Sequence, residues 1–280
     1  LPMPKTIFAH GWWLVGESKM SKSSGNVVDP MAMADRYGVD PFRYFLIAEM
    51  TLGQDASFTE EQFIRRFNTD LANDLGNLFS RVAKMIRRYC EGAIPAADES
   101  LVRQPEEQAL WDEVQQAVAR MNESIDEMRL DLGLAAVMNA VRAANRYLEL
   151  RQPWTQAKAG DPAPLHTTLY TAAESLRVLA ALLFPVMPGK MDALRQALGM
   201  QPGVPDFGDQ ERWGVVRAGT ALGDPGVLFP RIDTARRQES KAHKKAAPRV
   251  DKDEGAMIYI DTFAKLELKT ATIVAAEPVE

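Results

Sequence analysis

The chain has 280 residues, of which 46% are apolar and 25% charged, so it has the material for a sizeable core and is not a disordered chain. Its 33 Lys and Arg against 38 Asp and Glu give a net charge of −5, which excludes a uniformly basic coat but leaves room for a local basic patch. One cysteine, Cys90, excludes an internal disulfide framework and a Cys-based zinc knuckle.

The start carries no secretory pattern, and no apolar run is long enough to span a bilayer. These features predict a soluble protein of a reducing compartment. The start at Leu1 predicts a piece of a longer chain. Residues 1–28 mix Pro, Gly, aromatics and a Lys/Ser cluster, and read as strand and loop. Asp29-Pro30, Asp40-Pro41 and Asp161-Pro162 each place an N-cap acceptor before a proline at a first helical position. Thr59 and Gln62 have capping-box spacing, and Pro105 with Glu106 and Glu107 starts another helix.

Four long helices are predicted, over 60–91, 106–129, 132–151 and 163–184. Phe63, Phe67, Leu71, Leu75, Leu78, Val82 and Ile86 mark the buried side of the first, and Leu134, Val137, Met138, Val141 and Leu148 that of the third. Short connections between long amphipathic helices predict an antiparallel bundle. Pro185 and Pro188 end the fourth helix, and a short one follows at about 190–198. Residues 199–230, rich in Gly and Pro, are expected to lie as an extended tail over the bundle. Residues 236–249 hold six Lys or Arg and one acid, the composition of a solvated tether. Residues 257–280 return to ordered patterning and read as the opening of a further unit, cut short.

Two constellations could carry chemistry. Lys19-Met20-Ser21-Lys22-Ser23, followed by Gly25, gathers ammonium groups, hydroxyls and accessible amides in one loop. Such a loop suits a polyphosphate, and one that engages it in the transition state stabilises charge as it develops. The alternative is a solvated surface loop. Asn77 and Arg81 lie four apart on one helix face, while Asn145 and Trp154 flank the end of the third long helix. Aromatic stacking with amide and guanidinium hydrogen bonds is how single-stranded RNA bases are read. The alternatives here are a solvated face for the pair and a cap over the core for the tryptophan.

The loop resembles the second signature motif of the class I aminoacyl-tRNA synthetases. His10-Gly11-Trp12-Trp13 before it is similar to the methionyl members, whereas Gly25-Asn26-Val27-Val28-Asp29-Pro30 after it is shared with the valyl, isoleucyl, leucyl and cysteinyl ones. The resemblance implies a ligase that activates methionine with ATP, supplied as its Mg²⁺ complex, and passes it to tRNA(Met). Lys22 would contact the triphosphate with electrostatic support from Lys19. His10, Gly11, Met20, Ser21 and Ser23 would lie at the nucleotide. Asn-Leu-x-Ser-Arg at 77–81 and Asn-Arg-Tyr with Pro-Trp at 145–154 are similar to the family's anticodon reader. By that match Asn77, Arg81, Asn145 and Trp154 would face the CAU anticodon, with Trp154 stacked on its first base. Residues 260–280 look like the start of a tRNA-binding OB-fold that in the family also mediates homodimerisation.

The family's first signature, His-x-Gly-His, has no counterpart in this sequence. The expected architecture is mainly α. Residues 1–50 form the C-terminal part of a Rossmann-type catalytic domain, 51–232 an anticodon-binding bundle, 233–256 a linker and 257–280 a truncated OB-fold. The chain is expected to be cytoplasmic, to hold no zinc and to make no adenylate alone. A valyl or isoleucyl enzyme and a non-catalytic tRNA-binding module are the competing readings.

Overall fold

The computed structural model describes residues 9–15, 18–19 and 28–233, together with Met3 and Ile7. Most of the Lys/Ser loop, the basic linker and the expected OB-fold start lie outside the described residues.

Three short strands are described: β1 (Trp13–Val15), β2 (Ser18–Lys19) and β3 (Ala56–Ser57), in sheet order β2-β1-β3. β1 runs antiparallel to β2 and parallel to β3. Trp13 on this sheet meets Phe45 and Phe58 with ring centroids 6.1 and 6.4 Å away, and Phe45 meets Phe63 at 5.5 Å. These ring contacts fasten the sheet to the helices that follow.

α1 (Pro30–Tyr37) begins at Asp29, whose carboxylate accepts from the Met31 amide, as its sequence position predicts. α2 (Val39–Glu49) departs from expectation. It starts before Asp40 and has Gly38 as its N-cap, with a φ of 93° that favours glycine. Asp40 is occupied elsewhere: it accepts the Lys190 amide at the start of α9 (Pro188–Ala197). Arg43, nearly one turn on, donates to the carbonyls of Pro185 and Val186. One face of α2 therefore takes up orphan backbone groups at the turn into α9.

The first long helix forms in three parts. α3 (Glu60–Arg66) has Thr59 as its cap, with the Gln62 amide donating to the Thr59 hydroxyl at 3.1 Å. A π-helix follows over Phe67–Gly76, and α4 (Asn77–Tyr89) resumes ordinary winding. Gly76 belongs at the end of the wide turn, because a Cβ there would sit 2.9 Å from the Leu71 carbonyl oxygen.

α5 (Pro105–Asp126), α6 (Leu130–Arg151) and α8 (Pro162–Leu183) complete the bundle, with the one-turn α7 (Pro153–Gln156) between the last two. Asp161 caps α8 as expected, accepting from the Ala163 amide. α8 is buried on every side from Thr167 to Leu183, which makes it the central helix. Its Glu174 and Arg177 pair at 2.7 Å inside the core. Glu174 also accepts the amides of Val215 and Val216, and Arg177 donates to the Arg212 carbonyl. The segment after α9 is thus strapped to α8 by charge. Tyr170 adds a bond from its hydroxyl to the Val216 carbonyl, and burial with the Glu174 charge pushes its pKa up to about 12. The strap ends at the π-helix, where the Asn68 amide both donates to and accepts from the Ile232 backbone. Among the described residues no helix is long and apolar enough to cross a membrane.

Candidate nucleic-acid interface

α4 and α6 lie against each other, and three contacts zip α6 to the helix formed by the π segment and α4. Arg142 reaches Asp74 at 2.8 Å and Asp70 at 3.1 Å. The Asn145 amide donates to the Asp74 carbonyl at 3.1 Å and to Val141 at 3.3 Å. Glu149 meets Arg81 at 2.6 Å. Residues 142, 145 and 149 recur at helical spacing, so the three contacts share one side of α6.

Of the four residues the sequence points to at the anticodon, Asn77 is exposed on the first turn of α4. Arg81 is partly covered, and its Glu149 partner is 63% exposed. An ion pair this open contributes about 0–1 kcal/mol, so a stronger acceptor can take the guanidinium. Asn145 is half-buried, and its donor is committed to the backbone of the π segment. Its Oδ1 is buried without a protein partner. Trp154 lies on α7, three residues past the end of α6, and 37% of its surface is exposed. That exposure does not fit a pure core cap. Pro153 is the buried residue of that turn.

The end of α6 is held from below. Glu107, 1% exposed, lies 2.9 Å from Arg151 Nε and accepts the Tyr147 hydroxyl at 3.0 Å. Gln152 then leaves the helix in the left-handed region, with φ 46°, and delivers Pro153 and Trp154 onto α7. Sequence reading placed Glu107 in the first turn of a helix and missed this anchor. It also missed Lys84 and Arg88, exposed on α4 three and seven residues beyond Arg81. With Asn77 they extend a polar, cationic stripe along one side of α4, legible in the 77, 81, 84, 88 spacing. Such a stripe suits a phosphate backbone.

On the N-terminal side, His10 is exposed with its Nδ1 2.8 Å from the Gly11 carbonyl oxygen. Gly11 is a point of close backbone approach, since a Cβ there would fall 2.0 Å from the Gln54 carbonyl oxygen. Its immediate role in the structure is to let β1 pair with β3. Lys19 is described as backbone alone, in β2 opposite Leu14. Met20, Ser21, Lys22 and Ser23 lie outside the described residues. Cys90 is half-buried against the core, and burial pushes its thiol up to about 11, which keeps it protonated and agrees with a packing role. No group of His, Cys, Asp and Glu suited to a metal ion is found among the described residues.

Known proteins resemble this chain in sequence and fold. A family model described as tRNA synthetases class I (M) matches residues 1–83, and one described as the anticodon-binding domain of methionyl tRNA ligase matches residues 94–248. The matched regions and the fold are thus those of a class I tRNA synthetase. Methionine–tRNA ligase of Halalkalibacterium halodurans is 38% identical over 293 residues, covering 100% of this chain and 43% of that protein. The enzyme of Caldanaerobacter subterraneus subsp. tengcongensis is 37% identical, covering 100% and 44%. Mycobacterium tuberculosis methionyl-tRNA synthetase in complex with methionyl-adenylate superimposes with a TM-score of 0.76 at 37% identity, over 82% of this chain and 45% of that one. The chain belongs to the methionyl tRNA ligase family, and it spans less than half the length of these relatives. Asn77 and Arg81 fall in the first matched region and Asn145 and Trp154 in the second, so the candidate interface draws on both.

Proposed function

We propose that this chain supplies the anticodon-reading part of a methionine–tRNA ligase, an enzyme that uses ATP as its Mg²⁺ complex to activate methionine and then esterifies tRNA(Met). The observation that carries this reading is the α4–α6–α7 surface. It presents an exposed amide and an exchangeable guanidinium on α4, the latter paired across to Glu149 on α6, and an open indole on α7 just past the end of α6. Trp154 stacks on the first base of CAU, a contact worth about 1–3 kcal/mol. Asn77 and Arg81 bond base edges, and the α4 cations follow the backbone. Asn145 takes part through the position it gives the π segment.

In the whole enzyme Lys19 and Lys22 stabilise the charge that develops on the triphosphate, with Met20, Ser21 and Ser23 in the same loop and His10 and Gly11 near the nucleotide. Such an enzyme works in the cytoplasm and dimerises through a complete C-terminal OB domain. The test of the reading is a titration of the 280-residue chain with two anticodon stem-loops, CAU and a first-base variant, at fixed low salt. The reading requires tighter binding to CAU that is lost in Trp154→Ala. Equal binding to both would overturn the base-reading role and leave phosphate contacts alone.

A further inference from the structure

Winding in the first long helix changes twice before Asn77. A π turn bonds i to i+5 and holds more residues than an α turn, so each residue advances the helix by a smaller angle. Ten residues of it, Phe67–Gly76, therefore set the rotational phase of everything after them. At the junction the Asn77 amide is shared between the carbonyls of Ala72, five residues back, and Asp74. Which way Asn77 and Arg81 face is thus decided by whether residues 67–76 keep the wide form.

A π segment loses ground to the α form unless outside contacts hold it. Here those contacts come from α6, from Tyr44 on α2 and from the Ile232 backbone at Asn68. Arg142 spans two carboxylates of the segment, Nη2 to Asp70 and Nε to Asp74, and its remaining nitrogen donates to Asn139 at 3.0 Å. Asp70 and Asp74 are four apart, so one rigid guanidinium fork measures the length of a single turn. Asp70 also accepts the Tyr44 hydroxyl at 2.8 Å and meets Arg66 at 3.4 Å. Arg66 pairs with Glu49 on α2 at 2.6 Å. The network thus has two cationic arms: Arg66 toward α2, and Arg142 toward α6, the helix that carries Asn145 and leads to Trp154.

We infer that Arg142, acting through Asp70 and Asp74, is a positioning residue for anticodon discrimination: it holds the π segment in the register that turns Asn77 and Arg81 toward the RNA. This rests on the anticodon-reading function proposed above. Arg142 itself need not touch the RNA.

The experiment uses the 280-residue chain and the same two stem-loops, CAU and the first-base variant. The quantity read is the ratio of the two Kd values, with the Tm of each variant measured alongside. Arg142→Gln is expected to reduce the ratio about 10-fold, and Asp74→Asn to do the same. Arg66→Gln removes the other arm and is expected to lower Tm comparably while leaving the ratio within about twofold of the unmodified chain. Arg142→Lys keeps the charge without the fork and should fail to rescue the ratio. A ratio unchanged in Arg142→Gln and Asp74→Asn overturns the inference, as does an equal fall in Arg66→Gln, which would mark a purely structural network. If Arg142→Gln does not fold by circular dichroism, Asp74→Asn decides alone. Absence of discrimination in the unmodified chain would instead remove the function on which the inference stands.

Discussion

Glu174 with Arg177, and Asp70 and Asp74 with Arg142, are both clusters of opposite charge between packed helices, yet they are built for different ends. The Glu174–Arg177 pair is sealed, with side-chain exposures of 0% and 3%, and its oxygens and nitrogens are taken up by backbone of the strap. Arg142 is 39% exposed, and Asp74 is 21% exposed. Burial pushes the Asp74 carboxyl up, against the hydrogen bond and charge of Arg142. A sealed pair locks one arrangement, because removing either partner strands a charge in the core. The Arg142 cluster is only partly sealed: Asp70 is 8% exposed, and it keeps the Tyr44 hydroxyl and Arg66 when Arg142 is removed.

The largest expected effect breaks the sealed side. Glu174→Ala leaves the buried Arg177 charge uncompensated and two strap amides without acceptors, and chemical denaturation should show a loss of about 3–5 kcal/mol. Trp154→Ala, on the open side, should cost about 1–3 kcal/mol in CAU stem-loop binding and little in stability, since the indole is substantially exposed. Gly76→Ala should fall between the two. Its methyl would press on the Leu71 carbonyl at the end of the π segment, costing about 1–3 kcal/mol in stability.

Smaller effects sharpen the comparison. Glu149→Gln removes a carboxylate beside Arg81 and should tighten binding to both stem-loops by less than about 1 kcal/mol, an effect that shrinks with salt. Asp131 gives the smallest. The Arg129 hydrogen bond, helped by Thr51, holds its carboxyl below the ordinary value of 3.8. A lowered folded value means stability that is present above 3.8 and lost as pH falls through the folded value. Asp131→Asn should remove that part of the acid slope in melts below pH 4, and an unchanged slope would contradict the assignment.

The sequence was most readable where the causes are local. Asp29 and Asp161 cap the helices they precede because the acceptor and its amide are two residues apart. Asp40 has the same local signature, but its partner is the Lys190 amide, 150 residues away, and no local rule could assign it. The π segment did leave a trace. Phe63, Phe67, Leu71 and Leu75 are buried at three successive four-residue steps, and a 3.6-residue helix would need a three-residue step among them. That spacing was read as ordinary helix.

At the candidate site, Asn77, Arg81 and Trp154 were legible as types and spacings. What was hidden is what each is held by. Glu107 looked like a first-turn acid and proved to be the buried anchor of the α6 end. Asn145 looked like an open base reader and proved to commit its donor to the π segment. Both outcomes depend on neighbours brought in from another helix, which a one-dimensional pattern does not contain.

The measurement that bears most directly on this account is the paired stem-loop titration of the unmodified chain and Trp154→Ala. The account predicts a clear preference for CAU over the first-base variant, abolished by the substitution. Equal, salt-labile binding of both stem-loops by the unmodified chain would contradict it, leaving the α4 stripe as a phosphate-binding surface without base recognition.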